Sequence, residues 1–332
     1  MDRIVKSVGI VGTGRCLPEK ILTNHELEKI VDTSDEWIRT RTGISERRIS
    51  EADTATSDLA TAAALKAMEN AGVSAEEVDM IIVATVTPDM AFPSTACIVQ
   101  SNLKAVNASA FDIEAACTGF IYGLSVGEKF ISTGDAKTVL VIGAETLSKV
   151  CNWKDRNTCV LFGDGAGAAV LREVGKGEGI LACALGAEGW KGETLTLPAG
   201  GSRMPASVET VKAGKHFIHM DGSEVYKFAV SIMPKATLRV IEKAGLNLED
   251  IDYVVPHQAN SRIVEAAARR LKMDGEKIFV NLNKYGNMSS ASVPVALDEA
   301  LEQGRIKKGD NVVLVGFGAG LTWGSCAMKW IK

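Results

Sequence analysis

The chain has 332 residues, 46% of them hydrophobic and 23% charged, which is enough apolar material for one large or two ordinary domains and too much for a disordered protein. A net charge of -4 with a pI near 5.7 leaves no global basic field for nucleic acid or an anionic membrane surface, so an acidic partner has to be met by a local patch. No stretch approaches the roughly 20 apolar residues of a membrane span, and Met1 to Lys6 run into strand-like sequence with no signal core or transit segment, which makes the cytoplasm the default compartment.

Early in the chain, Gly9-Ile10-Val11-Gly12-Thr13-Gly14-Arg15 invites a dinucleotide-binding reading. Leu17 stands where the third glycine of that fingerprint belongs, and no acidic residue closes a clear second strand. Glu69 to Val83 then reads as a helix end, a cap at Gly72, an acidic connection and a buried strand.

In the run Asp112-Ile113-Glu114-Ala115-Ala116-Cys117-Thr118-Gly119-Phe120 a short strand stops and a helix, Phe120 to Ile131, begins. A thiol at that junction meets the positive end of the helix dipole, which favours thiolate and makes Cys117 a candidate nucleophile. The plainer reading is a small apolar core residue. Gly119, Gly123 and Gly127 line one face of the helix. Each costs about 1 kcal/mol relative to alanine, so the stripe predicts close approach of another backbone and a central, buried position.

The second half repeats the first. Glu242 to Pro256 echoes Glu69 to Val83 without a gap, Gly245 matching Gly72 and Asp252 matching Asp79. Gly309 to Gly316 echoes Gly134 to Gly143, and Gly324 to Trp330 echoes Gly165 to Leu171. Three blocks in the same order indicate a duplication. The continuous apolar strands imply sheets covered on both faces, stacked with helices between and outside them. The active site is expected where the halves meet.

Of the four histidines, His257 alone closes a buried strand, Tyr253 to His257, and precedes a polar Gln258-Ala259-Asn260. Strand C-terminal ends carry chemistry in α/β sheets, so His257 is the candidate acid/base or oxyanion donor. His216 and His219 lack companions at metal-ligand spacing. In Asn283 to Pro294, Asn287 is placed to donate into a cleft, a helix cap being the commoner use. The loop Gly316-Phe317-Gly318-Ala319-Gly320 offers backbone N–H groups to an oxyanion. Arg262, Arg269 and Arg270 share one helix region with Lys272 close by, either a solvated face or a patch for an acidic carrier. The seven cysteines (16, 97, 117, 151, 159, 183, 326) are odd in number, with no two of them two to four residues apart. They are expected to be reduced thiols, most of them structural.

Taken together these residues resemble the β-ketoacyl-acyl-carrier-protein synthase III family, the initiating condensing enzymes of type II fatty-acid synthesis, essentially end to end. The marks are Thr33-Ser34-Asp35-Glu36-Trp37 with Arg41-Thr42-Gly43-Ile44, the Ala115 to Phe120 nucleophile motif, His257-Gln258-Ala259-Asn260, Gly286-Asn287 with Ser292-Val293-Pro294, and the glycine loop before Thr322-Trp323-Gly324-Ser325. The resemblance implies an α/β thiolase-like fold, a five-layer α-β-α-β-α sandwich of two halves, 1–175 and 176–332. It implies a catalytic triad of Cys117, His257 and Asn287, with the N–H groups of Cys117 and Ala319 as oxyanion hole.

By the same resemblance Trp37 and Arg156 sandwich the adenine of coenzyme A, Thr33 and Arg41 assist, and Asn260 lines the pantetheine tunnel. Phe92, Leu147, Phe162 and Met220 are expected in the acyl pocket, Phe92 reaching across a homodimer interface. Lys227, Arg262, Arg269 and Arg270 would dock the acidic carrier. The implied substrates are acetyl-CoA or another short acyl-CoA and malonyl-acyl carrier protein, with no metal or redox cofactor. Two departures stand out: Met288 where the family usually has Thr, and Ala319 in a loop that is often all glycine, tolerable only at negative φ.

Thiolases and polyketide-type synthases share the fold, but the second cysteine a thiolase needs is not matched by Cys326, which lies inside the last strand. A cysteine hydrolase shares Cys, His and Asn without the duplicated layout. A non-catalytic acyl-CoA-binding homologue would bind without forming an adduct.

Overall fold

The computed structural model describes residues 6–332; Met1 to Val5, read as leading into the first strand, lie outside them. Nine strands form two main sheets. The first half supplies β1 (Val8–Cys16), β2 (Met80–Ala84), β3 (Ser109–Ile113), β4 (Thr138–Thr146) and β5 (Asp164–Glu173). The second supplies β6 (Gly179–Ala187), β7 (Tyr253–Pro256), β8 (Asn311–Gly318) and β9 (Thr322–Lys329). The first sheet runs β1-β5-β4-β2-β3, with β2 parallel to both neighbours and the other pairs antiparallel. The second runs β7-β8-β9-β6, with only β7 and β8 parallel.

The echoed blocks therefore occupy equivalent places: β2 corresponds to β7, β4 to β8 and β5 to β9. Their shared glycine caps have the same backbone, φ 65° at Gly72 and 72° at Gly245, a left-handed turn that side chains with a Cβ resist. The partner of β3 in the second half is reduced to one parallel bridge, Val254 with Ile278.

Seven helices of eight residues or more accompany the sheets among the described residues: α1 (Asp35–Thr42), α2 (Thr56–Ala71), α3 (Thr95–Leu103), α4 (Gly119–Ser132), α5 (Gly222–Lys243), α6 (Ser261–Leu271) and α7 (Ser292–Glu302). Helices α2 and α3 cover the outside of the first sheet, α5 and α6 the outside of the second, and α4 and α7 lie between the sheets. This is the five-layer order implied by the resemblance. Continuous apolar strands follow from it, since Ile82 and Val141 face the central layer while Ile81, Val83, Leu140 and Ile142 face α2 and α3.

The glycine stripe of α4 is buried in the central layer as expected, but for a different reason. A Cβ at Gly119 would lie 2.8 Å from Ala84 Cβ, one at Gly123 2.7 Å from Val141 Cγ1, and one at Gly127 3.0 Å from Leu171 and Val139. The helix is pressed onto sheet side chains rather than onto another backbone. Gly12 and Gly14 have a comparable use, since a Cβ on either would collide with α2, so the nucleotide-like glycines are packing glycines.

The cysteine expectation is corrected at one pair. Cys183 and Cys326 are directly cross-strand in the β6/β9 ladder and form a disulfide. They are 143 residues apart in sequence, so local spacing carried no sign of a pairing made by sheet register. Cys16, Cys97, Cys117, Cys151 and Cys159 are free.

Candidate active site

Cys117 sits in a 3-10 turn, Ala116–Thr118, between β3 and α4. Ala116 is held at φ 46°, a conformation rare for a residue with a Cβ and found where a side chain must be aimed. The turn packs against β8 of the opposite half. A Cβ at Gly318 would fall 2.8 Å from the N and Cβ atoms of Cys117 and 3.2 Å from its sulfur, so the glycine loop passes hard against Cys117.

Cys117 is buried, 6% exposed, yet borders a cavity of 960 Å³ together with Leu147, Phe162, Ser289, Ala319 and Thr322. Its resting state departs from the sequence expectation. Burial pushes the thiol up to about 12, with Glu145 and Glu114 adding to the rise and hydrogen bonding opposing it. The helix dipole, worth at most about 2 kcal/mol, does not overcome desolvation. At neutral pH Cys117 is therefore a thiol.

His257 follows β7, its backbone N–H donating to Val315 O (2.7 Å). It is 1% exposed, and the ring packs edge-on against Phe317 with centroids 5.4 Å apart. Nδ1 is buried without a hydrogen-bond partner. Burial depresses the imidazole to about 3, so His257 is neutral near pH 7 and keeps one ring N–H to offer.

Asn287 is 8% exposed. Its backbone is clamped through Asn287 N–H to Leu161 O (2.8 Å) and Gly163 N–H to Asn287 O (3.0 Å), and its side-chain Oδ1 accepts from Ser289 N–H (2.8 Å). That fixes the amide so that Nδ2 is the free donor. Met288, one of the two departures, is fully buried behind it. Its sulfur lies 2.7 Å from where Gly165 would carry a Cβ, so the larger side chain is housed by a glycine of β5. Ala319, the other departure, is absent from the positive-φ positions among the described residues, whereas Gly320 has φ 127°. The strained backbone thus falls on the glycine.

Sequence reading missed Glu145. It is fully buried at the end of β4 and accepts from Thr87 Oγ1 (2.7 Å), Ser290 Oγ (2.8 Å) and Val86 N–H (3.1 Å). Burial raises its pKa against those hydrogen bonds. It ties the first half to the turn that carries Asn287, and its one signal was a lone carboxylate in an apolar strand.

The remaining expected residues fall in separate groups. Arg156 lies over the Trp37 ring, 5.2 Å from its centroid, and donates to Asp32 O (2.9 Å), while the Thr33 hydroxyl is buried without a partner. Asn260 caps α6 by accepting from Arg262 N–H and donates to Arg41 O (3.0 Å). Leu147 and Phe162 line the cavity; Met220 and Phe92 do not, nor do His257 and Asn287, although Asn287 bridges to Phe162. Phe92 is 85% exposed. On α5 and α6, Lys227 pairs with Glu224, Arg269 with Glu265, Arg262 covers Tyr226, and Arg270 donates to Val230 O. Among the described residues no helix is long and apolar enough to cross a membrane, and no three His, Cys, Asp or Glu side chains gather as a metal site.

Residues 111–189 match the family described as 3-oxoacyl-(acyl-carrier-protein) synthase III, and residues 241–330 match its C-terminal part. The β-ketoacyl-(acyl-carrier-protein) synthase III of Caldanaerobacter subterraneus subsp. tengcongensis is 64% identical over 98% of both chains. That of Clostridioides difficile is 60% identical over 97% of this chain and 98% of its own. The chain belongs to the β-ketoacyl-acyl-carrier-protein synthase III family. It is an acyltransferase, a condensing enzyme of fatty-acid synthesis. The crystal structure of the synthase III from Aquifex aeolicus VF5 superposes with a TM-score of 0.90 at 49% identity, covering 98% of this chain and 100% of that one, so the thiolase-like fold is shared throughout.

Proposed function

We propose that Cys117 carries the acyl group, and that His257 and Asn287 serve the decarboxylation that follows. A short acyl-CoA, with acetyl-CoA as expected primer, is held by Trp37 and Arg156 with Thr33, Arg41 and Asn260 along the coenzyme. The Cys117 sulfur attacks the thioester carbonyl, coenzyme A leaves with the thiol proton, and an acyl-Cys117 thioester remains. Malonyl-acyl carrier protein docks on Lys227, Arg262, Arg269 and Arg270. Loss of CO2 gives an enolate whose oxygen is met by the His257 ring N–H and Asn287 Nδ2. The carbanion attacks the acyl thioester, Cys117 and Ala319 N–H groups hold the tetrahedral oxyanion, and β-ketoacyl-carrier protein is released. Decarboxylation supplies the carbanion, so the cycle closes without an added redox reagent.

The observation that carries this reading is the packing of the Cys117 turn against β8 and the Ser289–Ala291 turn of the opposite half, where Ser289 fixes the Asn287 amide and the buried, neutral His257 is bonded to β8 through Val315. A charged imidazole would hold the enolate as an ion pair; a neutral N–H suits a transient charge in a dry site. The division at residue 175 is supported by the two sheets drawn from either side of it. A homodimer formed through β3 is supported by its edge position in the first sheet and by the exposure of Phe92. Leu147 and Phe162 bound the acyl end, and Phe92 would complete the pocket of a partner subunit.

Intact-mass analysis after incubation with acetyl-CoA tests the acyl-carrier role. The parent is expected to gain one acetyl group and Cys117→Ala none; an adduct on Cys117→Ala would end the reading.

A further inference from the structure

Three serines follow the catalytic asparagine, and the structure uses them differently. Ser290 Oγ donates to Ala84 O and to Glu145, and Ser292 Oγ accepts from Met288 N–H. Ser289 is 3% exposed, and its Oγ, also buried, has no hydrogen-bond partner. Leaving a buried hydroxyl unpaired is unfavourable, since it has lost water and gained no partner. The residue is also held at φ 44°, a strained backbone for a side chain with a Cβ. Two unfavourable terms at one position call for a use.

The Ser289 hydroxyl lies near two acceptors and favours the charged form of both, the Cys117 thiol and the Glu145 carboxyl, and Glu145 is already served by Thr87 and Ser290. Ser289 and Cys117 line the same cavity, and their two 3-10 turns pack on each other. The other hydroxyls nearby are committed: Thr118 Oγ1 to Ala115 O, and Thr322 Oγ1 to Ala319 O and Ala115 O. Through its backbone N–H, Ser289 is already fixed to Asn287 Oδ1, so its position relative to the catalytic amide is set.

We propose that the Ser289 hydroxyl is a fourth catalytic side chain, which donates a hydrogen bond to the Cys117 sulfur whenever that sulfur carries negative charge. The inference rests on Cys117 being the acyl carrier. In the resting thiol the bond is not closed. As the sulfur attacks the thioester, the S–H proton goes to the departing coenzyme A thiolate and Ser289 keeps its own. When the tetrahedral intermediate of condensation collapses, the C–S bond breaks and the electron pair returns to sulfur. There the same O–H meets the leaving thiolate until a proton replaces it. Charge-assisted bonds of this kind are the strong ones. The charged groups that act on Cys117 are Glu114 on its own loop and Glu145 from β4, and His257 closes β7, the strand beside β8. The Ser289–Ala291 turn, β8 and the Ala319–Leu321 turn contribute none. Both carboxylates oppose the thiolate and His257 is neutral, so a neutral donor is what the site lacks.

The test is the pH profile of Cys117 alkylation by iodoacetamide in the full-length enzyme and in Ser289→Ala and Ser289→Gly. Both variants keep the N–H to Asn287, and they differ in backbone preference, since φ 44° suits glycine and strains alanine. The expected result is the same upward shift in both, with alkylation about 3- to 10-fold slower at fixed pH, while thermal melting separates the two. Profiles that overlay the parent, or a shift in Ser289→Ala alone, would overturn the proposal. Iodoacetamide needs only the thiolate. An overlaid profile beside normal acetylation of the parent therefore condemns the Ser289 role alone, whereas a parent that takes no acetyl group condemns the acyl-carrier reading.

Discussion

Gly318 lies against Cys117 so closely that one added methyl would come within 2.8 Å of the Cys117 backbone nitrogen and 3.2 Å of its sulfur. Contacts under 3.0 Å to backbone have no soft way out. Gly318→Ala is expected to displace the nucleophile turn and slow acylation at least 100-fold, since misplacement of about 1 Å costs that much. Its φ of -172° is open to any residue, so backbone conformation adds nothing to the effect. The rate of acetyl-adduct formation, read by intact mass, checks it; adduct formation at the parental rate would refute it.

Trp37 and Arg156 form a cation–π pair at the surface. If an adenine enters between them, Trp37→Ala or Arg156→Ala raises KM for acetyl-CoA about 10-fold, or ~1.4 kcal/mol, with kcat within a few fold. Steady-state kinetics with varied acetyl-CoA decide the matter, and an effect confined to kcat would remove both residues from the coenzyme site.

His257 gives a pH-dependent stability. Its folded pKa is near 3 against an ordinary value of 6.5, so below pH 6.5 the unfolded chain binds a proton that the native protein refuses. This contribution is fully present above pH 6.5 and falls away by about 1.4 kcal/mol per pH unit as pH drops toward 3. His257→Gln should flatten that part of the denaturation profile between pH 6 and pH 4. Equal slopes in urea titrations of parent and variant would contradict a buried neutral imidazole.

Met288 fills the space opened by Gly165 together with Tyr285, Ala291 and Val295. Met288→Ala is expected to cost about 2–4 kcal/mol of stability and to lower turnover through the backbone of Asn287. Chemical denaturation with a parallel assay of malonyl decarboxylation measures both.

The duplication was readable because three strands and a cap kept their order in both halves, and because Gly72 and Gly245 are obliged by the same turn. Cys117, His257 and Asn287 were readable as residues at element junctions. What spacing could not convey was long-range. The Cys183–Cys326 contact depends on register between β6 and β9. The protonated state of Cys117 depends on how much surrounds it, and the dipole argument from sequence had no access to that opposing term. Ser289 at positive φ resembles any serine in a serine run until its neighbours are found to be hydrogen-bonded and it is not. Phe92 and Met220, expected at the acyl pocket, do not line the cavity of a single chain, and Phe92 lies exposed on its surface.

The most direct measurement is a chase. Enzyme first loaded with acetyl-CoA is mixed with malonyl-acyl carrier protein, and the acetyl group on the Cys117 peptide is followed by mass spectrometry. The parent should lose its acetyl group to product within a turnover, whereas His257→Ala and Asn287→Ala should load and then retain it at least 100-fold longer. Discharge from either variant at the parental rate, or an acetyl group found on a residue other than Cys117, would contradict the account.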